Sequence, residues 1–242
     1  MTKVKKSSIL LTCLLLALLC GLLFYIDGNA SKYIIRITRL CAINIVLALS
    51  MNLVNGFTGI FSLGHAGFMA IGAYTVALLT IPVAKKETIF MLEPLIAPLN
   101  TLTLPFGAAL IIGGLLAAAL AFLIGLPCLR LRGDYLAIAT LGFSEIIRIV
   151  ITNAQSLTNG AQGLKSIPAT ANIWWCYGVA LATIIFIALL ISSSYGRAFK
   201  AIREDEIAAE SMGVSLLRHK MLSFMLSAFL AAVGGGLFAS YI

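Results

Sequence analysis

The sequence predicts an all-α bundle of membrane-spanning helices, and three observations carry this prediction. Apolar residues make up 61% of the 242 residues and charged residues only 11%, with a mean hydropathy of +1.05. The apolar residues fall in long runs, and a helix needs about 20 of them to cross the hydrocarbon core. The runs show no alternation of apolar and polar residues, which excludes a closed membrane barrel of strands. We therefore expect one polytopic membrane domain over residues 1–242.

Seven apolar segments are long enough to be counted as spans. They lie near residues 9–26, 37–54, 63–81, 105–126, 134–151, 173–192 and 221–242. The first follows Lys3, Lys5 and Lys6, so a secretory signal peptide cleaved near residues 28–30 is the alternative. We favour a first transmembrane helix, because the run is longer than the ~7–15 residues of a signal-peptide core.

The distribution of positive charge predicts the orientation of these spans. Lys and Arg are enriched in cytoplasmic connections, and a cytoplasmic N-terminus places most of the 17 basic residues inside. Residues 82–104, with a short surface helix, and 152–172 are then outer connections, and 193–220 form a cytoplasmic segment. The net charge of +8 is explained by this topology. No basic patch interleaved with aromatic residues indicates nucleic-acid binding.

A glycine-rich stretch without formal charge, residues 55–67, joins the second and third segments. One interpretation is backbone broken at membrane depth, which requires cover by protein or by a water-filled cavity and occurs where transporters bind solutes. It makes Gly59, Ser62, Gly64 and His65 candidate residues of a translocation pathway. The other interpretation is a short inner turn. A hydrogen-bonded structural histidine is the alternative for His65, since no carboxylate is near it in sequence.

The fifth segment carries charged residues within its apolar run. Asp134 is predicted as the N-cap, because its carboxylate can accept from free backbone N–H groups. Glu145 and Arg148 are three residues apart and therefore share a helical face. Charges inside a span cost about 2.5–3.5 kcal/mol each at mid-membrane. The two form either a structural ion pair or part of a solute pathway, for which Glu145 is the candidate.

The last segment is predicted to pack closely against other helices. Small residues recur every fourth position in two parallel rows: Ser227, Ala231, Gly235 and Ala239, and Ala228, Ala232, Gly236 and Ser240. Small side chains let helix backbones approach each other in lipid. We expect these glycines to serve packing rather than solute contact.

Residues 196–213 gather four of the nine acidic residues between two apolar segments. We predict one helix over 198–213, with Ile202, Ala209 and Met212 near one face. Gly213 can end it, because glycine accepts the left-handed conformation. A short helix projecting from the membrane can be gripped by a soluble partner. The alternative is a solvated connection between two spans.

No pattern of catalytic or metal-binding residues is present in the sequence. It contains two histidines far apart and no Cys-x-x-Cys, His-Glu-x-x-His or Gly-x-x-x-x-Gly-Lys spacing. We therefore expect no enzymatic site, no metal and no cofactor in this chain.

Four ordered motifs resemble the LivM-type permease subunits of ABC importers for branched-chain amino acids. They are residues 59–66, residues 129–137 with 140–143, residues 158–164, and residues 196–213. In this resemblance Arg203, Glu206, Ala208, Ala209 and Gly213 belong to the segment by which such permeases dock their ATPases. The resemblance places the chain in the cell inner membrane.

The resemblance also implies partners and a solute. The partners are a sister permease subunit, two cytoplasmic ABC ATPase subunits and an extracytoplasmic amino-acid-binding protein. The implied solutes are leucine, isoleucine and valine, and permeases for urea or short amides are the alternative within the family. Family members usually continue through further hydrophobic segments beyond the position of Ile242, so a C-terminally truncated, transport-incompetent fragment or a membrane scaffold is a further alternative.

Overall fold

The computed structural model describes residues 6–90, 95, 99–131 and 133–241, and all regular secondary structure within them is helical. The α-helices are α1 (Lys6–Asn29), α2 (Lys32–Asn52), α3 (His65–Thr80), α4 (Val83–Ile89), α5 (Phe106–Cys128), α6 (Asp134–Asn153), α7 (Gln155–Thr158), α8 (Ile173–Ser192), α9 (Ser194–Glu204), α10 (Glu206–Ser211) and α11 (Leu216–Ala239). The predicted all-α fold class is confirmed.

Five helices in the described part of the chain are long and apolar enough to cross a membrane. They are α2 with its extension to Phe57, α5, α6, α8 and α11. Two further apolar helices are shorter, namely α3 and the part of α1 from Ala17 to Asn29. Each of the seven apolar segments predicted from the sequence is thus a helix. Length and apolar composition were sufficient to find them.

The last helix, α11, lies at the centre of the bundle and packs against α2, α3 and α5. Its two rows of small residues are buried except for Ala239, which is half-buried. A Cβ atom added to Gly235 would lie 2.0 Å from the carbonyl oxygen of Met69 in α3. A Cβ added to Gly72 of α3 would lie 2.0 Å from the carbonyl oxygen of Ala232. The close packing predicted for this helix is therefore confirmed.

The connections between spans gather at two opposite ends of the bundle. At one end, Arg203 of α9 donates a hydrogen bond to the carbonyl oxygen of Gly56, 3.2 Å away, just after α2. At the other end, Ala171 N–H donates to the carbonyl oxygen of Ser240 at 3.2 Å. We call the first the α10 end, because α10 lies there beside α9. The segment 193–220 and the glycine-rich stretch therefore lie at the same end of the bundle.

A buried lysine holds the connection between α3 and α5. Lys86 of α4 is only 1% exposed, and its ammonium donates to the carbonyl oxygens of Leu99 and Leu102, each at 2.7 Å. Burial lowers the pKa of Lys86, whereas the carbonyl acceptors favour the protonated amine. The predicted short helix of this connection is α4, and Lys86 fixes it to the residues before α5.

Lys86→Met is expected to loosen this connection. Both carbonyls lose their donor, and a hydrogen bond to a charged group contributes about 1.5–3 kcal/mol, which corresponds to roughly a fivefold or larger rise in the open population. Proteinase K digestion of the purified protein measures the cleavage rate within residues 82–104. Lys85→Met is the matched control, because Lys85 is exposed. Equal cleavage rates in the two variants would show that Lys86 does not hold the connection.

Two predicted helix boundaries differ in the structure. The single helix over 198–213 was wrong, because Asp205 has extended backbone (φ −157°, ψ 116°) between α9 and α10. Its carboxylate accepts from the N–H groups of Ile207 (2.8 Å) and Ala208 (3.0 Å), so it caps a new helix. Asp134 was wrongly predicted as an N-cap. It lies in the first turn of α6, after Gly133, whose φ of 58° suits glycine.

Candidate functional site

The short helix α10 is closed at both ends by local hydrogen bonds. Asp205 caps its start, as described above. At its end, the N–H groups of Gly213 and Val214 donate to the carbonyl oxygens of Glu210 (2.9 Å) and Ala209 (3.0 Å). Gly213 has a φ of +83°, which is the left-handed conformation predicted for it. A helix of six residues is too short to be stable by itself, so these caps are what fix its shape.

Large apolar side chains of α10 point away from the bundle. Ile207 is 72% exposed and Met212 is 85% exposed, whereas Ala209 is 4% exposed. The predicted grouping of Met212 with Ile202 and Ala209 was therefore wrong, since the break at Asp205 changes the helical register. We call Ile207, Ala208 and Met212 the α10 surface. Its exposed apolar side chains make the α10 surface a candidate contact with another protein.

Glu206 of α10 points toward the bundle and not toward the α10 surface. Its Oε1 atom lies 2.5 Å from Nζ of Lys220 in α11. The Lys220 side chain is 8% exposed and the Glu206 side chain 39% exposed. A buried ammonium needs such a partner, because desolvation of an unpaired charge is costly. The ion pair is therefore a direct link between α10 and the central helix.

Sequence reasoning missed Lys220 as a functional candidate. The available signal was a lysine immediately before the apolar run that starts near residue 221. The sequence interpretation counted it as topology charge, because lysines at the start of a span are common at membrane surfaces. Only the fold shows that its side chain is buried against α10.

Arg203 of α9 contacts the glycine-rich stretch. Besides its bond to the carbonyl oxygen of Gly56, its guanidinium donates to the Glu204 carboxylate. A Cβ added to Gly59 would lie 2.8 Å from Cγ and 3.1 Å from Cα of Arg203. Gly59 has a φ of +74°, so both its conformation and this approach require glycine. The structure thus brings a predicted coupling residue against a predicted pathway residue.

The glycine-rich stretch is irregular backbone with one side covered by protein. α2 first continues as a π-helical turn, Leu53–Phe57, and α3 begins at His65. Residues 58–64 between them alternate in burial: Thr58, Ile60, Ser62 and Gly64 are buried, and Gly59, Phe61 and Leu63 are exposed. The backbone is irregular, since Thr58 (φ −97°, ψ −15°), Gly59 (φ +74°) and Gly64 (φ −79°, ψ 2°) are not extended. We call residues 58–64 the α2–α3 linker.

Hydrogen bonds to two helices hold the α2–α3 linker. Thr58 Oγ1 lies 2.7 Å from Oγ of Ser223 in α11. Leu63 N–H donates to Oγ1 of Thr140 in α6 at 3.1 Å. A Cβ on Gly64 would lie 2.9 Å from the carbonyl oxygen of Thr140. The linker is therefore bonded to both α6 and α11.

A cluster of polar side chains lies beside the α2–α3 linker. His65 Nε2 is 2.7 Å from Ser50 Oγ, and Ser227 Oγ donates to the carbonyl oxygen of Ser50 at 2.8 Å. Asn55 Oδ1 accepts from Ser62 N–H at 3.3 Å. We call Ser50, Asn55, Ser62, His65 and Ser227 the polar cluster. The hydrogen bond of His65 agrees with the structural alternative, and its role in a pathway stays a prediction.

The polar cluster borders a small closed cavity of about 10 Å³, lined also by Met51, Val54, Phe68 and Phe224. This volume holds about one water molecule. An amino acid does not fit, so the space between α2, α3 and α11 is closed to solutes in this conformation.

Glu145 lies apart from the other pathway candidates. It accepts from Arg148 Nε through both carboxylate oxygens, at 2.9 and 3.0 Å. This is the pairing that the spacing predicted. The side chains are 51% exposed for Glu145 and 70% exposed for Arg148. Within the described residues, no hydrogen bond joins the pair to the polar cluster.

Comparison with known proteins identifies the relatives of the chain. Residues 33–242 match the family described as branched-chain amino acid transport system / permease component. The chain is 38% identical to the high-affinity branched-chain amino acid transport system permease protein LivM of Escherichia coli, over 87% of this chain and 53% of that protein. The protein of the same name from Salmonella typhimurium is 36% identical over the same shares.

A more distant relative is the probable branched-chain amino acid transport permease protein LivM of Methanocaldococcus jannaschii. It is 23% identical over 81% of this chain and 64% of that protein. The chain spans about half the length of its two bacterial relatives. No solved structure matches it.

Proposed function

We propose, since the chain belongs to the family of branched-chain amino acid transport permease components, that it is the permease subunit of an ABC importer. It passes leucine, isoleucine and valine across the cell inner membrane, with its N-terminus in the cytoplasm. A sister permease completes the membrane part, two cytoplasmic ATPase subunits hydrolyse ATP, and an extracytoplasmic binding protein delivers the amino acid. The chain itself catalyses no covalent reaction.

The α10 surface is the observation that carries this proposal. Ile207 and Met212 are exposed at the end of the bundle that the charge distribution assigns to the cytoplasm. Two apolar side chains on a capped, rigid helix suit an apolar groove in a soluble partner, where they act as anchors of the interface. The ATPase subunits are the partners that this surface fits.

Two contacts transmit movement of α10 into the membrane. The Glu206–Lys220 ion pair joins α10 to α11, the central helix. Arg203 joins the adjoining helix α9 to Gly56 and Gly59, and hence to the α2–α3 linker. When the ATPases close, α10 moves with them and displaces α11 relative to α2 and α3. Residues that sequence reasoning assigned separately to coupling and to the pathway thereby act together.

The polar cluster is the gate in this proposal. The hydrogen bond from Ser227 to Ser50 joins α11 to α2, and the bond between Ser50 and His65 joins α2 to α3. Displacement of α11 breaks the first of these bonds and opens the cavity, whose present volume fits about one water. The freed hydroxyl, imidazole and amide groups can bond to the polar ends of an amino acid during passage. Recognition of the apolar side chain is left to the binding protein.

The proposal is tested by the double substitution Ile207→Asp with Met212→Asp. Burial of two such side chains contributes about 3–6 kcal/mol, so ATPase binding is expected to weaken by roughly a hundredfold or more. Co-purification of the ATPase subunits, and ATP-driven uptake of radiolabelled leucine into proteoliposomes with the binding protein, are measured together. Both are expected to be lost.

Val83→Asp is the control, because Val83 is exposed at the opposite end of the bundle. Normal leucine uptake by the double variant would contradict coupling through α10. Uptake of urea but not leucine by the unchanged complex would contradict the proposed solute and leave the coupling proposal intact.

A further inference from the structure

A pocket lies at the end of the bundle opposite the α10 end. It is open on one side, has a volume of about 210 Å³, and lies between α3, the end of α11 and the connection that follows α7. Its lining residues are Ala73, Tyr74 and Ala77 of α3, Gly163, Leu164 and Ile167 of the connection, and Ala239 of α11. We call it the outer pocket. Pockets for drug-sized ligands have about 300–1,000 Å³, so this volume suits a smaller molecule.

The connection that forms one wall of the outer pocket is held in a fixed conformation. Asn159 and Gly163 have φ angles of +60° and +65°, and a residue other than glycine keeps such an angle only where its surroundings hold it. Asn159 is buried, and its Nδ2 donates to the carbonyl oxygen of Gly163 at 3.0 Å. Thr158 is also buried, and its Oγ1 donates to the carbonyl oxygen of Ala154 at 2.7 Å. These bonds give the wall a defined shape.

The outer pocket has aliphatic walls and a tyrosine hydroxyl. Ala77, Leu164 and Ile167 contribute the aliphatic side chains. Tyr74 Oη forms no hydrogen bond to another described residue, and a Cβ atom added to Gly163 would lie 3.8 Å from it. In small-molecule sites, apolar walls bind the apolar part of a ligand and a few polar atoms orient it. This composition suits an amino acid with a branched aliphatic side chain, whose charged groups can bond to a hydroxyl.

The outer pocket and the polar cluster lie on the same pair of helices, α3 and α11. Along α11, Ala239 lines the pocket, and Ser227 of the polar cluster lies about 18 Å away at 1.5 Å per residue. Between these two positions, Gly72 and Gly235 bring the backbones of α3 and α11 into contact. The two sites are therefore separated by a contact between backbones in this conformation.

We propose that the outer pocket holds the branched aliphatic side chain of the amino acid before it passes between α3 and α11. The contact at Gly72 and Gly235 closes the way inward until α11 is displaced. The inference rests on the proposed function, which supplies the solute and the displacement of α11. The binding protein still chooses the solute, and the outer pocket receives the side chain that the binding protein releases.

Uptake by size variants of the pocket tests the proposal. Ala73 is half-buried in the pocket wall, so Ala73→Val narrows the pocket by two methyl groups. The binding protein delivers radiolabelled leucine or valine to the complete complex in proteoliposomes. One methylene in a closed hydrophobic pocket changes discrimination by about 10–200-fold, and this pocket is open on one side, so we expect the leucine-to-valine uptake ratio to fall roughly threefold or more.

Two further variants separate a change of pocket size from general damage. Adding Ile167→Ala to Ala73→Val removes volume from the facing wall and is expected to restore the ratio. Ala161→Val is the matched control, because Ala161 is exposed on the same connection and does not line the pocket. We expect this control to leave the ratio unchanged.

Photolabelling measures occupancy of the pocket without transport. Photo-leucine, which carries a diazirine in its side chain, is irradiated with the same complex, and labelled peptides are identified by mass spectrometry. We expect label on residues 73–77 or 163–167 that excess leucine and valine compete away. A phospholipid with a diazirine in its acyl chain is expected not to label these residues.

An unchanged leucine-to-valine ratio in Ala73→Val would overturn the proposal, and so would lipid label in the pocket or the absence of competed photo-leucine label there. If Ala73→Val abolishes uptake of both amino acids, the photolabel on the unchanged complex decides. Leucine uptake by the unchanged complex without competed label rejects the pocket and keeps the proposed function. Competed label in a complex that takes up no leucine rejects the proposed function and keeps the pocket as a binding site.

Discussion

Glu206→Ala is expected to reduce ATP-driven uptake tenfold or more while the chain remains in the membrane. The substitution leaves the Lys220 ammonium buried without its carboxylate partner. Loss of a partner to a buried polar group costs about 1–3 kcal/mol, with charged groups at the upper end, and 1.4 kcal/mol corresponds to a factor of ten. α10 then separates from α11, so movement of α10 no longer reaches the central helix. Uptake in proteoliposomes and the amount of membrane-inserted chain are measured side by side.

The double variant Glu206→Ala with Lys220→Met distinguishes lost coupling from lost stability. Methionine removes the unpaired charge and keeps an apolar side chain of similar length, which is often neutral or stabilising at buried ion pairs. We expect thermal stability to recover in the double variant and uptake to stay low, because the link between α10 and α11 is still absent. Normal uptake by Glu206→Ala alone would remove the ion pair from the coupling mechanism.

Gly72→Val is expected to have the largest effect on the fold itself. A Cβ at this position would lie 2.0 Å from the carbonyl oxygen of Ala232 and 2.4 Å from its Cα. These are backbone atoms, so no side-chain rotation relieves the contact and α3 must move away from α11. The cost of such overpacking is about 1–3 kcal/mol or more. The close contact between Gly235 of α11 and Met69 of α3 would be lost as well, because it joins the same two helices.

Size-exclusion chromatography and thermal unfolding in detergent measure this effect. A loss of about 3 kcal/mol corresponds to a drop in Tm of roughly 6–12 °C for a chain of this size. Gly178→Val is the matched control, because a Cβ added to Gly178 in α8 meets nothing within 4 Å. If both variants eluted and unfolded alike, the close contact between α3 and α11 would not be needed for stability.

The sequence predicted the helices well because spans are a property of local composition. Five of the apolar runs form helices long enough to cross the hydrocarbon, and no partner elsewhere in the chain is needed to recognise them. The small residues of α11 could also be recognised locally, since a repeat of four marks one helical face. The role of Gly213 could be predicted as well, because it depends only on the φ angle of that residue. Asp205 was misjudged although its signal is local. The pattern of apolar and charged residues around Asp205 is compatible with one continuous helix. In the structure, the Asp205 carboxylate caps a new helix instead, and the continuous helix does not form.

The contacts that connect α10 to the proposed gate were decided by the tertiary structure. Arg203 meets Gly56 across 147 positions of sequence, and Thr58 meets Ser223 across 165. Glu206 and Lys220 belong to different helices, and their pairing depends on the angle at which α10 folds back toward α11. Composition and periodicity fix which residues are helical and which helical face is apolar. They do not fix which faces meet, because that depends on close packing between helices that are distant in the chain.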